Sequence, residues 1–439
     1  MVRMKVCICI LLLILLLLVL LPSCAGAVMI KAISAGDGSM VLMDDGTVYA
    51  WGNNASHYLP EKVPGLSNIT AISAYSANYM ALSGDGNVWI WTWLDNQDSS
   101  PDLVEVPISN VTAISVPTML KADGSVWEIV PSNEHDIFIY DVKNANVRQV
   151  PGLSNVTSIG RDVALKDDGS IWTWLNISQG YSLVGEFDPV IPVKVDISNV
   201  KQVVVSDSTT LALKNDGTVW AWGNNGFGMF GGDAPVNWSS EATLTPIQVA
   251  GLSSITSVTI HVTDAWALKD DGTVWMWGGD PYTLNGAESY STPFKFSKLD
   301  NIVAISMGQG HAMALKKDGT LWAWGANFDG QLGDGTVTPP LDHSGGKDTP
   351  VKVLIDTSGL SSIYVSPTVT IISSPSPGNA FTSPTSSGNS SSIVVSTTGA
   401  GDDSSDSGLP FGQNMSLIVT GLVLIIVILG GIFLLLKKK

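Results

Sequence analysis

Cysteine is almost missing. The chain has 439 residues and three cysteines, Cys7, Cys9 and Cys24, all at its very start. A mature domain beginning after them has no disulfide, so burial and strand pairing must hold it together. Positive charge is scarce as well: 22 Lys and Arg stand against 39 Asp and Glu, a net charge of −17. Nucleic-acid binding needs a basic footprint. None is visible, so no nucleic-acid partner is expected. The five histidines, His57, His135, His261, His311 and His343, lack metal-ligand spacing. No cysteine remains for nucleophilic attack, and no Gly-x-Ser-x-Gly elbow or phosphate loop appears. The expectation is a protein that is not an enzyme and has no cofactor and no metal.

What the chain does have is one phrase, repeated. Ala312 to Leu315 is an apolar strand that runs into Lys316-Lys317-Asp318-Gly319 and returns as Leu321-Trp322-Ala323-Trp324-Gly325. Asp-Gly between apolar runs is a strong hairpin signal, and a type I′ turn, with positive φ at both central residues, is expected. Six earlier copies centre on Asp45-Gly46, Asp85-Gly86, Asp123-Gly124, Asp168-Gly169, Asp216-Gly217 and Asp271-Gly272. Their spacings of 40, 38, 45, 48, 55 and 47 residues indicate an array or propeller. Twelve of the 15 tryptophans fall in these hairpins, where packing between sheets accounts for them. Trp93, Trp238 and Trp266 do not.

The fullest unit reads as four strands: 293–296, 302–307, 311–315 and 321–324. The fold class expected is all-β, a seven-bladed propeller of four-stranded antiparallel blades. The chain starts on a second strand, 30–36, and ends on an orphan first strand, 350–353. The N- and C-terminal strands are therefore expected to complete one blade and close the ring.

These phrases resemble the repeat of the regulator-of-chromosome-condensation family. The resemblance rests on Ala304-Ile305-Ser306-Met307-Gly308-Gln309-Gly310-His311, Trp322-Ala323-Trp324-Gly325 and Gly330-Gln331-Leu332-Gly333. It covers about 325 residues and fades in the second and third hairpins, where Trp127-Glu128-Ile129 has lost its second Trp and Gly. The resemblance implies a seven-bladed propeller. Functions in that family range from nucleotide exchange on a small GTPase to enzyme inhibition and light sensing, so fold does not select function.

The two ends carry localisation signals. Residues 1–27 read as a signal peptide: Arg3 and Lys5, an uncharged apolar run over 6–21, then small residues to Ala27. Leu21-Pro22-Ser23-Cys24 also resembles a lipoprotein box, with Cys24 as the lipidated residue, and both routes stay open. The propeller is assigned to 28–365. Residues 366–416 are a Ser/Thr/Pro-rich stalk. Residues 417–436 form an apolar run long enough to span a bilayer, and 437–439 are a lysine tail. The positive-inside rule then puts that tail in the cytoplasm and the propeller outside. A sorting signal that is cleaved and replaced would look similar.

Candidate sites follow from the strand order. Asp-Gly turns share one rim with the Gly-Leu-Ser-Asn turns, and the long connections after Trp-Gly emerge at the other. The longest, 224–245, carries Phe227, Met229, Phe230 and Trp238, and aromatic residues in a long loop are ligand-binding candidates. Sequons for N-glycosylation stand at Asn54, Asn68, Asn110, Asn155, Asn176, Asn237, Asn389 and Asn414. The expected function is a cell-surface module that binds or adheres to an unknown extracellular protein or glycan. Alternatives are an extracellular polysaccharide-active enzyme and a guanine-nucleotide-exchange regulator as in the resembled family.

Overall fold

The computed structural model describes residues 29–52, 57–92, 101–130, 146–174, 191–206, 209–232, 234, 243–261, 263–279, 290–338 and 346–355. The chain divides into two units, Met1–Val394 and Val395–Lys439, and every described residue belongs to the first. The expected signal peptide, Cys24, the stalk, the apolar run 417–436 and the lysine tail lie outside the described residues. Among the described residues no helix is long and apolar enough to cross a membrane.

The first unit is a seven-bladed propeller of four-stranded antiparallel sheets. Blade seven shows the plan, from axis to rim: Ile302–Met307, His311–Lys316, Leu321–Ala326 and Gly346–Lys352. The other six blades span residues 30–62, 69–105, 111–149, 156–195, 200–248 and 255–296. Each blade is thus continuous in sequence, which corrects the expected closure. The Pro-led strand over 293–296 is the outer strand of blade six, where Lys295 and Phe294 pair with Trp275 and Met276. Likewise 346–352 pairs with the Trp322 strand of its own blade, so no blade is shared between the chain ends. The physical reason is that the strand following the connection pairs antiparallel with the strand preceding it, rather than with the next blade.

Closure comes from packing. Seven apolar clusters fill the seven blade junctions, and the one between blades seven and one joins Ile33, Val41 and Trp51 to Met313, Leu321 and Leu332. A belt of serines near the axis adds polar bonds. Ser306 accepts the Ala35 N–H (3.0 Å), Ser34 the Ala74 N–H (2.9 Å) and Ser73 the Val116 N–H (3.1 Å), each across a junction. Between blades five and six the Gln202 amide bonds both backbone groups of Val258.

The hairpin turn differs from the type I′ expectation. Lys316 C=O accepts the Gly319 N–H, and the Lys316 N–H donates to Thr320 C=O. Gly319 has φ 86°, whereas Asp318 is not among the positive-φ residues. This is the three-residue type I turn with a glycine bulge. It leaves Asp at negative φ with its carboxylate turned to the residue two ahead, whose N–H it accepts at 2.9 Å.

Candidate functional site

Repeat geometry accounts for a recurring set of polar side chains. In five blades one network recurs. Asp123, Asp168, Asp216, Asp271 and Asp318 each accept a hydroxyl from the Ser or Thr two ahead, at 2.5–2.6 Å. That hydroxyl oxygen accepts the indole N–H of the first Trp of the strand, at 2.9–3.3 Å. In four of these blades the Lys before the turn lies over the same Trp ring. These bonds hold the carboxyls of Asp123, Asp168, Asp216 and Asp271 below the usual range. Among the described residues no group of three or more His, Cys, Asp or Glu gathers around a metal position.

The inter-blade turns explain three sequons in the same way. Asn68, Asn110 and Asn155 adopt the left-handed conformation (φ 54°, 60° and 56°), as do Asn199, Ser254 and Asn301 at the equivalent turns. The residue two further on sits at a register shift that recurs in the innermost pairing of every blade. Where it is Thr70, Thr112 or Thr157, its hydroxyl donates to a carbonyl of the second strand. The Asn-x-Thr spacing is therefore turn plus bulge. These three asparagines are exposed on the Asp-Gly rim. Asn54, Asn176, Asn237, Asn389 and Asn414 lie outside the described residues.

The aromatic loop is not where the sequence put it. Met229 and Phe230 are buried (1% and 4% exposed) in the junction of blades five and six, with Phe227 packed against them. The Trp277 indole donates to Met229 C=O at 2.8 Å, as Trp51 does to Gln331 C=O at 2.9 Å. Gly228-Met229-Phe230-Gly231 thus repeats the role of Gly330-Gln331-Leu332-Gly333. A loop of small residues needs its large apolar side chains inside, and the Trp partner fixes which way they turn. This corrects the expected ligand-binding assignment for Met229 and Phe230. Trp238 and Trp93 lie outside the described residues. Trp266 is core, 5.2 Å from Phe296 and from Trp324 by ring centroids.

Two buried ionisable groups have strongly shifted pKa values. His311 sits at the junction of blades seven and one, with Nε2 2.8 Å from Ser39 Oγ. The Ser39 hydroxyl donates to Gln331 C=O, so the imidazole N–H donates to Ser39. Burial pushes its pKa down to about 4. The other is Glu128, which replaces the small or apolar residue between the tryptophans of other blades. It accepts hydrogen bonds from the Trp174 indole and from Arg148 Nη2 (3.1 Å). Burial, and then the nearby Asp162 carboxylate, raise it to about 7.

One place gathers side chains that the repeat does not need. The inner strands of all seven blades line an axial cavity of about 110 Å³ at the rim opposite the Asp-Gly turns. Tyr75 from blade two, Arg161 from blade four and His261 from blade six meet there. The Arg161 guanidinium lies 3.8 Å from the Tyr75 ring centroid, and the Tyr75 and His261 rings are 6.5 Å apart. Arg161 Nε is also 3.7 Å from the buried Asp162 carboxylate. Sequence reading missed Arg161. Its signal was positional: it precedes Lys166 by the same five residues that separate His311 from Lys316.

A family model for the regulator-of-chromosome-condensation (RCC1) repeat matches residues 30–57, 200–228 and 302–331, and a second matches 318–366. The first three matches begin at the innermost strands of blades one, five and seven. The chain carries RCC1 repeats. No curated protein matches it. Among solved structures it is similar to Prp20p of Saccharomyces cerevisiae, at 17% identity over 75% of this chain and 88% of that one, TM-score 0.55. Prp20p was described with its binding to Gsp1p and histones. Human WBSCR16 is similar at 18% identity over 68% and 85%, TM-score 0.52. At such identities what this RCC1-repeat chain shares with them is the fold.

Proposed function

We propose that this chain is a binding module: an RCC1-repeat propeller held outside a membrane by its C-terminal apolar run, presenting its axial face to an extracellular protein or glycan. The observation that carries the binding reading is the meeting of Tyr75, Arg161 and His261 from three blades at one axial cavity. None of the three takes part in the recurring Asp–hydroxyl–indole chains or in the bulge bonds of the blades. Aromatic and guanidinium groups on a rigid ring suit recognition. The described strands that end in Trp-Gly finish at the same rim. The outward orientation rests on the charged start, the apolar run over 6–21, the 417–436 run and the terminal lysines. Nucleotide exchange on a cytoplasmic GTPase is incompatible with that orientation.

Protease treatment of intact cells, with a tag near Ala380 and mass spectrometry of the mature N-terminus, tests the orientation. Release of the propeller and a start between Ala25 and Val28 are expected. A propeller protected until the membrane is broken ends the extracellular reading.

A further inference from the structure

The cavity at the propeller axis points to a ligand chemistry. We propose that it is a site for one compact oxyanion, of carboxylate size, held between Arg161 and the serine hydroxyls of the inner strands.

Charge is the first argument. The whole chain carries −17, yet among the described residues no Asp or Glu lines this cavity, and Arg161 does. A cavity free of carboxylates in so acidic a protein repels cations through its arginine and accepts anions. Asp162 is the counter-charge beside Arg161, with its carboxylate 3.7 Å from Nε. Next to it, Glu128 is paired with a second guanidinium, Arg148, and its raised pKa removes part of the negative charge at neutral pH. Asp37, whose carboxylate accepts from the cavity-lining Ser76 hydroxyl at 3.4 Å, is the further acid nearby, and burial raises its pKa as well.

Hydrogen-bond capacity is the second argument. Ser34, Ser73 and Ser306 line the cavity and each already accepts a backbone N–H from the next blade. A hydroxyl that accepts still has its own proton to donate. Thr259 and His261 line the same space. The arrangement is rich in donors and has a fixed cation, which is what an oxyanion needs. Size is the third. At about 110 Å³ the space is well below the roughly 300–1,000 Å³ of drug-sized ligand sites. It takes a single carboxylate or sulfate group, either free or as the acidic tip of a larger partner.

The stacking of Arg161 on Tyr75 fixes the guanidinium in place, so little ordering is left for the ligand to impose. This proposal deepens the binding-module reading and rests on it only for biological use. The site itself is testable wherever the propeller resides.

The test uses the full-length chain in detergent at constant ionic strength. Sodium acetate, sulfate and phosphate are titrated against a sodium chloride control while the unfolding temperature is followed. A saturable rise over chloride is expected. Arg161→Gln should weaken it about tenfold or more, and Arg161→Lys, which keeps charge but loses the planar fork, should fall between. An acidic peptide that competes with acetate assigns the site to a partner's side chain, whereas competition by free small acids alone assigns it to a free ligand. Histidine-labelled NMR on the unmodified chain avoids any folding defect in the variants. His261 resonances should shift saturably with acetate while those of His57, paired with Glu61 on blade one, stay put. A response equal to chloride, or equal shifts at both histidines, overturns the proposal. Failure of the protease test leaves this result standing, so the two readings fail separately.

Discussion

At the scale of single residues, the recurring Asp–hydroxyl–indole chain does in small what a disulfide would do across a loop. Thr273 shows it: its hydroxyl donates to Asp271 at 2.6 Å and accepts the Trp275 N–H at 3.3 Å. The Thr273 side-chain bond is the main reason the Asp271 carboxyl lies low. Thr273→Val keeps the shape and removes both bonds. A loss of about 0.5–1 kcal/mol is expected at neutral pH, the lower part of the hydrogen-bond range because the site is largely exposed. The sign of its pH dependence is fixed. A depressed folded pKa contributes stability above the unfolded aspartate value, and that contribution disappears as pH falls through the folded value. The gap between variant and parent should therefore close in acid, and the Asp271 resonance should titrate higher in the variant. Urea unfolding at pH 7 and pH 3 with carboxyl NMR checks both. An unchanged gap at the two pH values would falsify the hydrogen-bond account.

At the scale of strands and loops, the lesson lies in which neighbours a sequence reveals. Phe230 is 4% exposed between blades five and six, so Phe230→Ala should cost about 3–5 kcal/mol, read by chemical denaturation. A loss of under 1 kcal/mol would restore it as a surface residue. The hairpins were legible because Asp, Gly, Thr and Trp sit next to each other in sequence and satisfy each other locally. The seven blades were legible because the period is regular. Two things were not. The outer strand reads as part of the following blade, since pairing across a long connection leaves no local mark on Pro293-Phe294-Lys295-Phe296. Gly228-Met229-Phe230-Gly231 reads as an exposed loop, because the partner that buries it, Trp277, lies 48 residues on. The axial site was illegible for the same reason: Tyr75, Arg161 and His261 belong to three different blades, and only the closed ring brings them together.

At the scale of the molecule, the ring is held by apolar junctions, and at two of them a buried ionisable group has its pKa moved far from the usual range, one up and one down. Glu128, between blades three and four, has a folded pKa of about 7 against 4.5 unfolded. The native state holds its proton more tightly, so this group stabilises the fold as pH drops from 7 toward 4.5. His311, between blades seven and one, has a folded pKa of about 4 against 6.5. The unfolded chain binds that proton more tightly, so stability is lost as pH drops from 6.5 toward 4. Across roughly pH 4.5–6.5 the two slopes oppose each other, each near 1.4 kcal/mol per pH unit at most. In the parent protein these two contributions should therefore nearly cancel in this window. Single substitutions separate the two. Glu128→Gln keeps an acceptor for Trp174 and removes the titration, so its stability should fall steadily as pH drops from 6.5 to 4. His311→Gln keeps a donor for Ser39, and its stability should rise as pH drops from 7 to 4.5. Denaturation midpoints of the parent and the two variants, taken at half-unit steps, provide the check. Parallel profiles for all three proteins would place the pH response outside the blade junctions, whereas profiles that diverge in opposite directions locate it at these two buried groups.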